Sequence, residues 1–342
     1  AFWIDEMIFP SYKAFEIKEP VFIVGVPRSG TTFLHRVLAR DEERYTTFSM
    51  WELLFAPSII ERKVIGFVAR IDRKVGRPLG RLVNWVTRTA TGDLNAMHQF
   101  SLNDPEEDFL LFVPTLACFI LIVAFPHDPE IANLAFFDKK IPEKRRKRLL
   151  AFYKSMIQRH MYAQGREKTL LSKNVSFTPM LRSLLSTFPD ARVVMCTRDP
   201  KKAVPSQISA IEPSWKLFGN DASGDAFRER WVTLMHHYYR QLRDVISDLP
   251  REQGQLLRMQ SLTKNLEQEV SNIYAAFGFE MSADFEKRLA EEGEKSRNYK
   301  SKHRYASADY GLDVERIERE FAEVFDEGRD PREVKEQDGH EA

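Results

Sequence analysis

The chain has 342 residues, 43% hydrophobic and 30% charged, which suits one large or two modest cores and excludes an intrinsically disordered chain. Its formal net charge is only +1, so no global field draws it to nucleic acid and any basic feature has to be local. Its two cysteines, Cys118 and Cys196, each lie in an apolar run, read as buried thiols rather than a disulfide framework, and favour a reducing, cytoplasmic setting.

In chain order, the sequence begins at Ala1 without methionine, which leaves a preceding targeting or membrane segment open. Residues 1–18 are aromatic and are expected as an irregular lead-in on the surface. Residues 21–26 are apolar and β-branched, as in a buried strand. Gly25-Val-Pro-Arg-Ser-Gly30-Thr31-Thr32 follows, and then Phe33, Leu34, Val37 and Leu38 mark a helix. Strand, glycine-bounded loop and helix make a phosphate cradle: loop N–H groups and the positive helix end converge on an anion. The spacing is that of a Walker A loop, but Thr31 stands where that loop has lysine, and Arg28 is the loop cation.

Residues 45–50 are expected as a second strand, giving way to a helix at Trp51-Glu52. Glu52 then projects toward the ligand at the carboxyl ends of the strands, or meets only its own helix dipole. Residues 61–91 hold eight Lys or Arg against two acids, with apolar residues between them. That pattern is either a solvated helical face or a peripheral contact with an anionic membrane or acidic substrate. Residues 109–125 are the most apolar stretch. They fall short of the ~20 residues of a membrane span and contain Pro114, so a buried core helix is expected.

Further on, strands at 169–172, 191–197 and 255–259 alternate with helices at 179–188, from Asp199-Pro200, at 227–246 and at 262–277, the last ended by Gly278. This alternation implies an α/β fold with a P-loop-type, mostly parallel central sheet flanked by helices. A single domain over 1–342 is expected, with a mainly helical insertion at 53–165 that shapes the acceptor site and an acidic helix and tail at 313–342.

A strand leads directly to Arg198, and Ser206 lies eight residues on. The pair is either a phosphate clamp with an added hydroxyl or an ordinary ion pair and cap. Taken with Pro27-Arg28-Ser29-Gly30-Thr31-Thr32, it resembles, in order and spacing, the two motifs of sulfotransferases that use 3′-phosphoadenosine 5′-phosphosulfate (PAPS), in the bacterial-type branch related to tyrosylprotein sulfotransferase. Softer matches at Trp51-Glu52, Pro105-Glu106-Glu107-Asp108, Lys173-Asn174, Phe188-Pro189-Asp190-Ala191-Arg192 and His303-Arg304-Tyr305 extend the resemblance from about Pro20 to about Phe325. Met259-Gln260 departs from the Tyr-Glu pair of many relatives.

The resemblance implies that Arg28, Ser29, Gly30, Thr31 and Thr32 hold the 5′-phosphosulfate and that Arg198 and Ser206 grip the 3′-phosphate. Lys300, Lys302 and His303 cover the cofactor, or form a plain basic loop. It also implies in-line, metal-independent sulfuryl transfer to an acceptor hydroxyl or amine, with Arg28 stabilising developing charge. Glu52, His98 and Glu107 compete as general base, and Lys173 is either a leaving-group stabiliser or a surface lysine. The expected acceptor is a small or lipid-like molecule, without nucleic acid. Two other readings stay open: a P-loop kinase or nucleotidase, disfavoured by the missing lysine, and a non-enzymatic membrane-surface or polyanion-binding protein acting through 61–91.

Overall fold

Short, largely apolar segments supply the sheet, rich in β-branched residues in the central strands β1 and β4. β1 (Val21–Gly25), β2 (Tyr45–Thr46), β3 (Thr169–Lys173), β4 (Arg192–Thr197) and β5 (Gly254–Arg258) run in the order β2-β3-β1-β4-β5, with every neighbouring pair parallel. This computed structural model describes residues 1–90, 102–164, 167–298, 312–326 and 330–333. A parallel sheet has to be covered on both faces, and the period-two alternation along the strands divides the core accordingly. Phe22, Val24, Val193 and Met195 enter one cluster, whereas Val21, Ile23, Leu171, Val194 and Cys196 enter the other.

Helices connect and cover the strands. They are α1 (Phe2–Ile8), α2 (Thr31–Leu38), α3 (Met50–Phe55), α4 (Ile59–Lys74), α5 (Pro78–Ala90), α6 (Pro129–Leu134), α7 (Phe137–Lys140), α8 (Glu143–Gln164), α9 (Leu181–Thr187), α10 (Pro200–Leu217), α11 (Asp225–Ile246), α12 (Met259–Lys264), α13 (Leu266–Phe277), α14 (Ala283–Asn298) and α15 (Val314–Phe321). α8 to α11 pack on the first face of the sheet, and α2 and α12 to α14 on the second. The fold is the α/β arrangement expected from the sequence.

Four expectations need correction. The second strand stops at Thr46, because Ser49 and Glu52 close a capping box that starts α3: the Ser49 N–H and hydroxyl both donate to Glu52 Oε2 at 2.8 Å. Residues 109–125 do not form a core helix. They make two 3₁₀ segments, Asp108–Thr115 and Phe119–Val123, separated by Leu116 in the left-handed region at φ 54°. Pro114 removes an amide donor there, and Leu116 and Phe125 stay exposed. Residues 1–18 are not irregular: α1 and a 3₁₀ segment, Pro10–Ala14, are pinned by buried Asp5, which accepts the Ile59 and Ile60 N–H groups and Arg159 Nε. Finally, the stretch at 262–277 belongs to two helices, α12 and α13, that meet at Asn265. Both cysteines are free and buried, and burial pushes each thiol up to about 12.

Candidate active site

The loop after β1 is built by close approach and by backbone handedness. The Thr178 hydroxyl accepts the Gly25 N–H at 3.1 Å and donates to the Gly25 carbonyl at 2.8 Å, fixing the strand end. A Cβ at position 25 would lie 2.4 Å from the Cys196 carbonyl oxygen of β4. Gly25→Ala is therefore expected to cost about 2–3 kcal/mol through overpacking, read as a lower urea midpoint with unchanged slope. Arg28 and Gly30 sit in the left-handed region, at φ 67° and 88°, on either side of buried Ser29, whose hydroxyl donates to the Val26 carbonyl at 2.7 Å. Gly30 caps α2, so the first-turn amides of that helix lack intrahelical acceptors. Such a turn into a helix start is an anion nest.

The second motif arrives from β4. Asp199 caps α10 by accepting the Lys201 N–H at 2.9 Å, with Pro200 as the first helical residue. This cap places Arg198 beside the loop and Ser206 two turns into the helix. Arg198 Nη1 donates to the Arg28 carbonyl at 3.1 Å, and Arg28 Nε donates to the buried Ser206 Oγ at 3.1 Å. The Tyr239 hydroxyl, from α11, donates to the Arg198 carbonyl. The two motifs, 178 residues apart at Arg28 and Ser206, form one constellation.

This constellation opens on a cleft of about 460 Å³. Arg28, Gly30, Thr31, Thr32, Arg198 and Gln207 supply its polar side, and Phe109, Phe119, Ile122, Trp231, Leu234 and Tyr238 its apolar side. Met259 lines it as well, 3.5 Å from where a Cβ on Gly30 would stand. The two 3₁₀ segments thus form the apolar wall together with α11, a role that sequence composition alone does not reveal.

Glu107 lines the cleft and pairs with Lys173 at 2.5 Å. Lys173 ends β3 in register with Ile23 of β1, and its side chain is only 2% exposed, so it is not a surface lysine. Next to it, Asp108 is fully buried and accepts the Tyr153 hydroxyl at 2.5 Å, while Tyr153 also meets Ser172 Oγ at 3.2 Å. Burial pushes the Asp108 carboxyl up to about 6, against the pull of those hydroxyls. This anchor holds the Glu106-Glu107-Asp108 stretch against β3.

Glu52 does not line the cleft, contrary to its expected projection toward the ligand. Its Oε2 is taken by Ser49, and its Oε1 accepts Arg62 Nη1 at 2.9 Å and the Gln164 side-chain amide. Burial alone would push the Glu52 carboxyl up, but the Arg62 guanidinium and the Ser49 donors oppose this, and the carboxyl is held below its ordinary value. No lone pair is left for an acceptor proton. The Ser49-Met-Trp-Glu52 spacing is itself a capping-box signature, and that signal marks Glu52 as structural. His35, on α2, is buried with Nε2 2.8 Å from Thr47 Oγ1, and burial holds its ring well below the usual range. His98, Lys300, Lys302 and His303 lie outside the described residues.

Several known proteins are similar to this chain. The model of the sulfotransferase family matches residues 20–283. The chain is 25% identical over 317 residues to the omega-hydroxy-beta-dihydromenaquinone-9 sulfotransferase Stf3 of Mycobacterium tuberculosis (strain CDC 1551 / Oshkosh), spanning 90% of this chain and 74% of that protein. Its fold is similar to that of sulfotransferase STF1 from Mycobacterium tuberculosis H37Rv, with a TM-score of 0.72, 21% identity, and coverage of 94% of this chain and 81% of the other. Sulfotransferase STF9 from Mycobacterium avium gives a TM-score of 0.73 and 18% identity, with coverage of 96% and 82%.

Proposed function

This chain belongs to the sulfotransferase family and is a PAPS-dependent enzyme of it, and from that premise we propose how its residues divide the work and what it sulfates. The donor lies along the loop, with Arg28, Ser29, Gly30, Thr31 and Thr32 around its 5′-phosphosulfate and Arg198 and Ser206 at its 3′-phosphate. The carrying observation is the Arg28–Ser206 and Arg198–Arg28 hydrogen bonding, which brings both motifs to one cleft.

The acceptor is a hydroxyl borne by an apolar, lipid-like molecule seated against Phe109, Phe119 and Trp231. A relative named for a hydroxylated menaquinone supports the same class. In transfer, the acceptor oxygen bonds to sulfur in line with the breaking bond to the phosphate oxygen. Glu107 takes the acceptor proton, and Lys173, released from its pairing with Glu107, neutralises the departing oxygen. Loop amides and Arg28 meet the charge on the sulfuryl oxygens. None of these steps calls on a metal, and turnover is expected to persist in EDTA.

Adenosine 3′,5′-bisphosphate at a hundred times its Kd is expected to raise the melting temperature by about 4 °C. Arg198→Ala should abolish most of that rise at the same concentration. No rise for the wild-type protein would overturn the donor assignment.

A further inference from the structure

The face that α4 turns to solvent is its apolar one. Val64, Phe67, Val68, Ile71 and Val75 recur at three- and four-residue steps and are 43–64% exposed. The buried side of the helix holds Ile59, Arg62 and Asp72 instead. α5 repeats the pattern with Leu79, Leu82, Val83 and Val86, beside Trp85, all 48–64% exposed. An ordinary surface helix points such a stripe inward.

The hairpin joining the two helices is firmly built. Asp72 accepts the Leu79 and Gly80 N–H groups at 2.8 and 2.9 Å, and Gly76 and Arg77 turn the chain in the left-handed region, at φ 85° and 62°. The same unit exposes Lys63, Arg70, Arg73, Lys74, Arg77 and Arg81, and none of these has a salt-bridge partner among the described residues. Cations elsewhere on the surface commonly do, as in Lys201–Glu318, Arg240–Glu323 and Arg316–Glu229.

We propose that the α4–α5 hairpin docks this enzyme on an anionic lipid bilayer, with its Phe67, Ile71 and Trp85 face in the headgroup boundary and its cations on lipid phosphates. An apolar stripe with aromatic residues, flanked by unpaired cations, is the composition that binds such an interface. Charge selects this occupant over a second copy of the chain: a two-fold contact would set the same cations against themselves. The docking is peripheral, and among the described residues no helix is long and apolar enough to cross a membrane. It stands independently of the assigned donor and acceptor roles, since vesicle binding requires no sulfuryl transfer.

Co-sedimentation of the full chain with vesicles tests it. Phosphatidylcholine vesicles containing about one-third phosphatidylglycerol are expected to bind at least tenfold more tightly than phosphatidylcholine alone, and less tightly as salt rises. The double substitutions Phe67→Ser with Ile71→Ser, and Arg70→Glu with Arg73→Glu, should each weaken binding about tenfold or more. Both variants should keep the wild-type melting temperature and its rise with bisphosphate, which separates lost docking from lost folding. Absence of wild-type binding to anionic vesicles, or equal binding by both folded variants, overturns the proposal. A wild-type dimer in light scattering that Phe67→Ser with Ile71→Ser makes monomeric overturns it too, by assigning the face to a second copy.

Discussion

Glu107→Gln is expected to lower kcat by about 10²–10⁴-fold while leaving the bisphosphate-induced rise in melting temperature intact. The amide keeps the shape of the side chain, and its oxygen still accepts from Lys173, so the cleft wall retains its form. What it loses is the capacity to take a proton. The substitution therefore separates chemistry from donor binding, because Arg28, Arg198 and Ser206 are untouched and hold each other without Glu107. Steady-state kinetics with a hydroxylated lipid acceptor read the effect. Activity within threefold of wild type would remove Glu107 from the role of base.

The second large effect is on stability. Arg62→Ala is expected to cost about 3–5 kcal/mol, because it leaves the Glu52 carboxylate buried and uncompensated. The side chains are 4% and 2% exposed, and Arg62 also donates to the Ala56 carbonyl at 2.9 Å and to His160 Nδ1 at 2.8 Å. For a chain of this length, the loss corresponds to a melting temperature lower by about 4–7 °C. Glu52→Gln, by contrast, should turn over within about tenfold of the wild-type rate once folded, because Glu52 faces Ser49, Arg62 and Gln164 rather than the cleft.

The same cluster carries a pH signature. Since Arg62 donates to Nδ1, the His160 ring carries its proton on Nε2, where it donates to Thr46 Oγ1 at 2.9 Å. Burial first, and Arg62 second, push the ring down to about 3 from an ordinary value of 6.5. Between those values the unfolded chain binds the proton that the folded chain refuses. Stability should therefore fall as pH drops below 6.5, by up to about 1.4 kcal/mol per pH unit. Glu52, held below its ordinary value, adds a loss of the same sign at the acid end. Urea titrations between pH 7.5 and 4 measure this slope, which should be shallower in Arg62→Ala. A flat wild-type profile would mean that His160 is charged in the fold.

The sheet and the loop after β1 were legible because each rests on local rules. A β-branched run, a glycine-bounded turn and a helical apolar spacing specify Val21 to Leu38 without reference to the rest of the chain. Arg198 and Ser206 were legible for the same reason, with Asp199-Pro200 announcing the helix that spaces them. The proposed base was harder to read, since both Glu52 and Glu107 follow plausible strand or helix cues. What distinguishes them is pairing over long range: Arg62, Gln164 and Ser49 consume one, whereas Lys173 leaves the other at the cleft. The apolar stretch at 109–125 misled for a related reason. Hydrophobicity indicates that a segment seeks cover, but not whether protein or substrate provides it, and Pro114 with Leu116 divides this one into turns that wall a cleft.

Because one hydrogen bond joins Arg28 to Ser206, the proposed donor clamp is also a question of timing on the ribosome. The loop emerges early, but its strand needs β3 and β4 beside it, and β4 pairs with β1 across 171 residues, from Val21 to Arg192. Contacts of such long sequence separation form slowly, because a large loop has to close before any pairing compensates for it. A nascent chain that has reached only α8 (Glu143–Gln164) therefore carries the whole first motif and none of the second. In the proposed function the nucleotide is a ligand of the assembled sheet, so any assistance it gives to folding comes only after β4 has docked on β1.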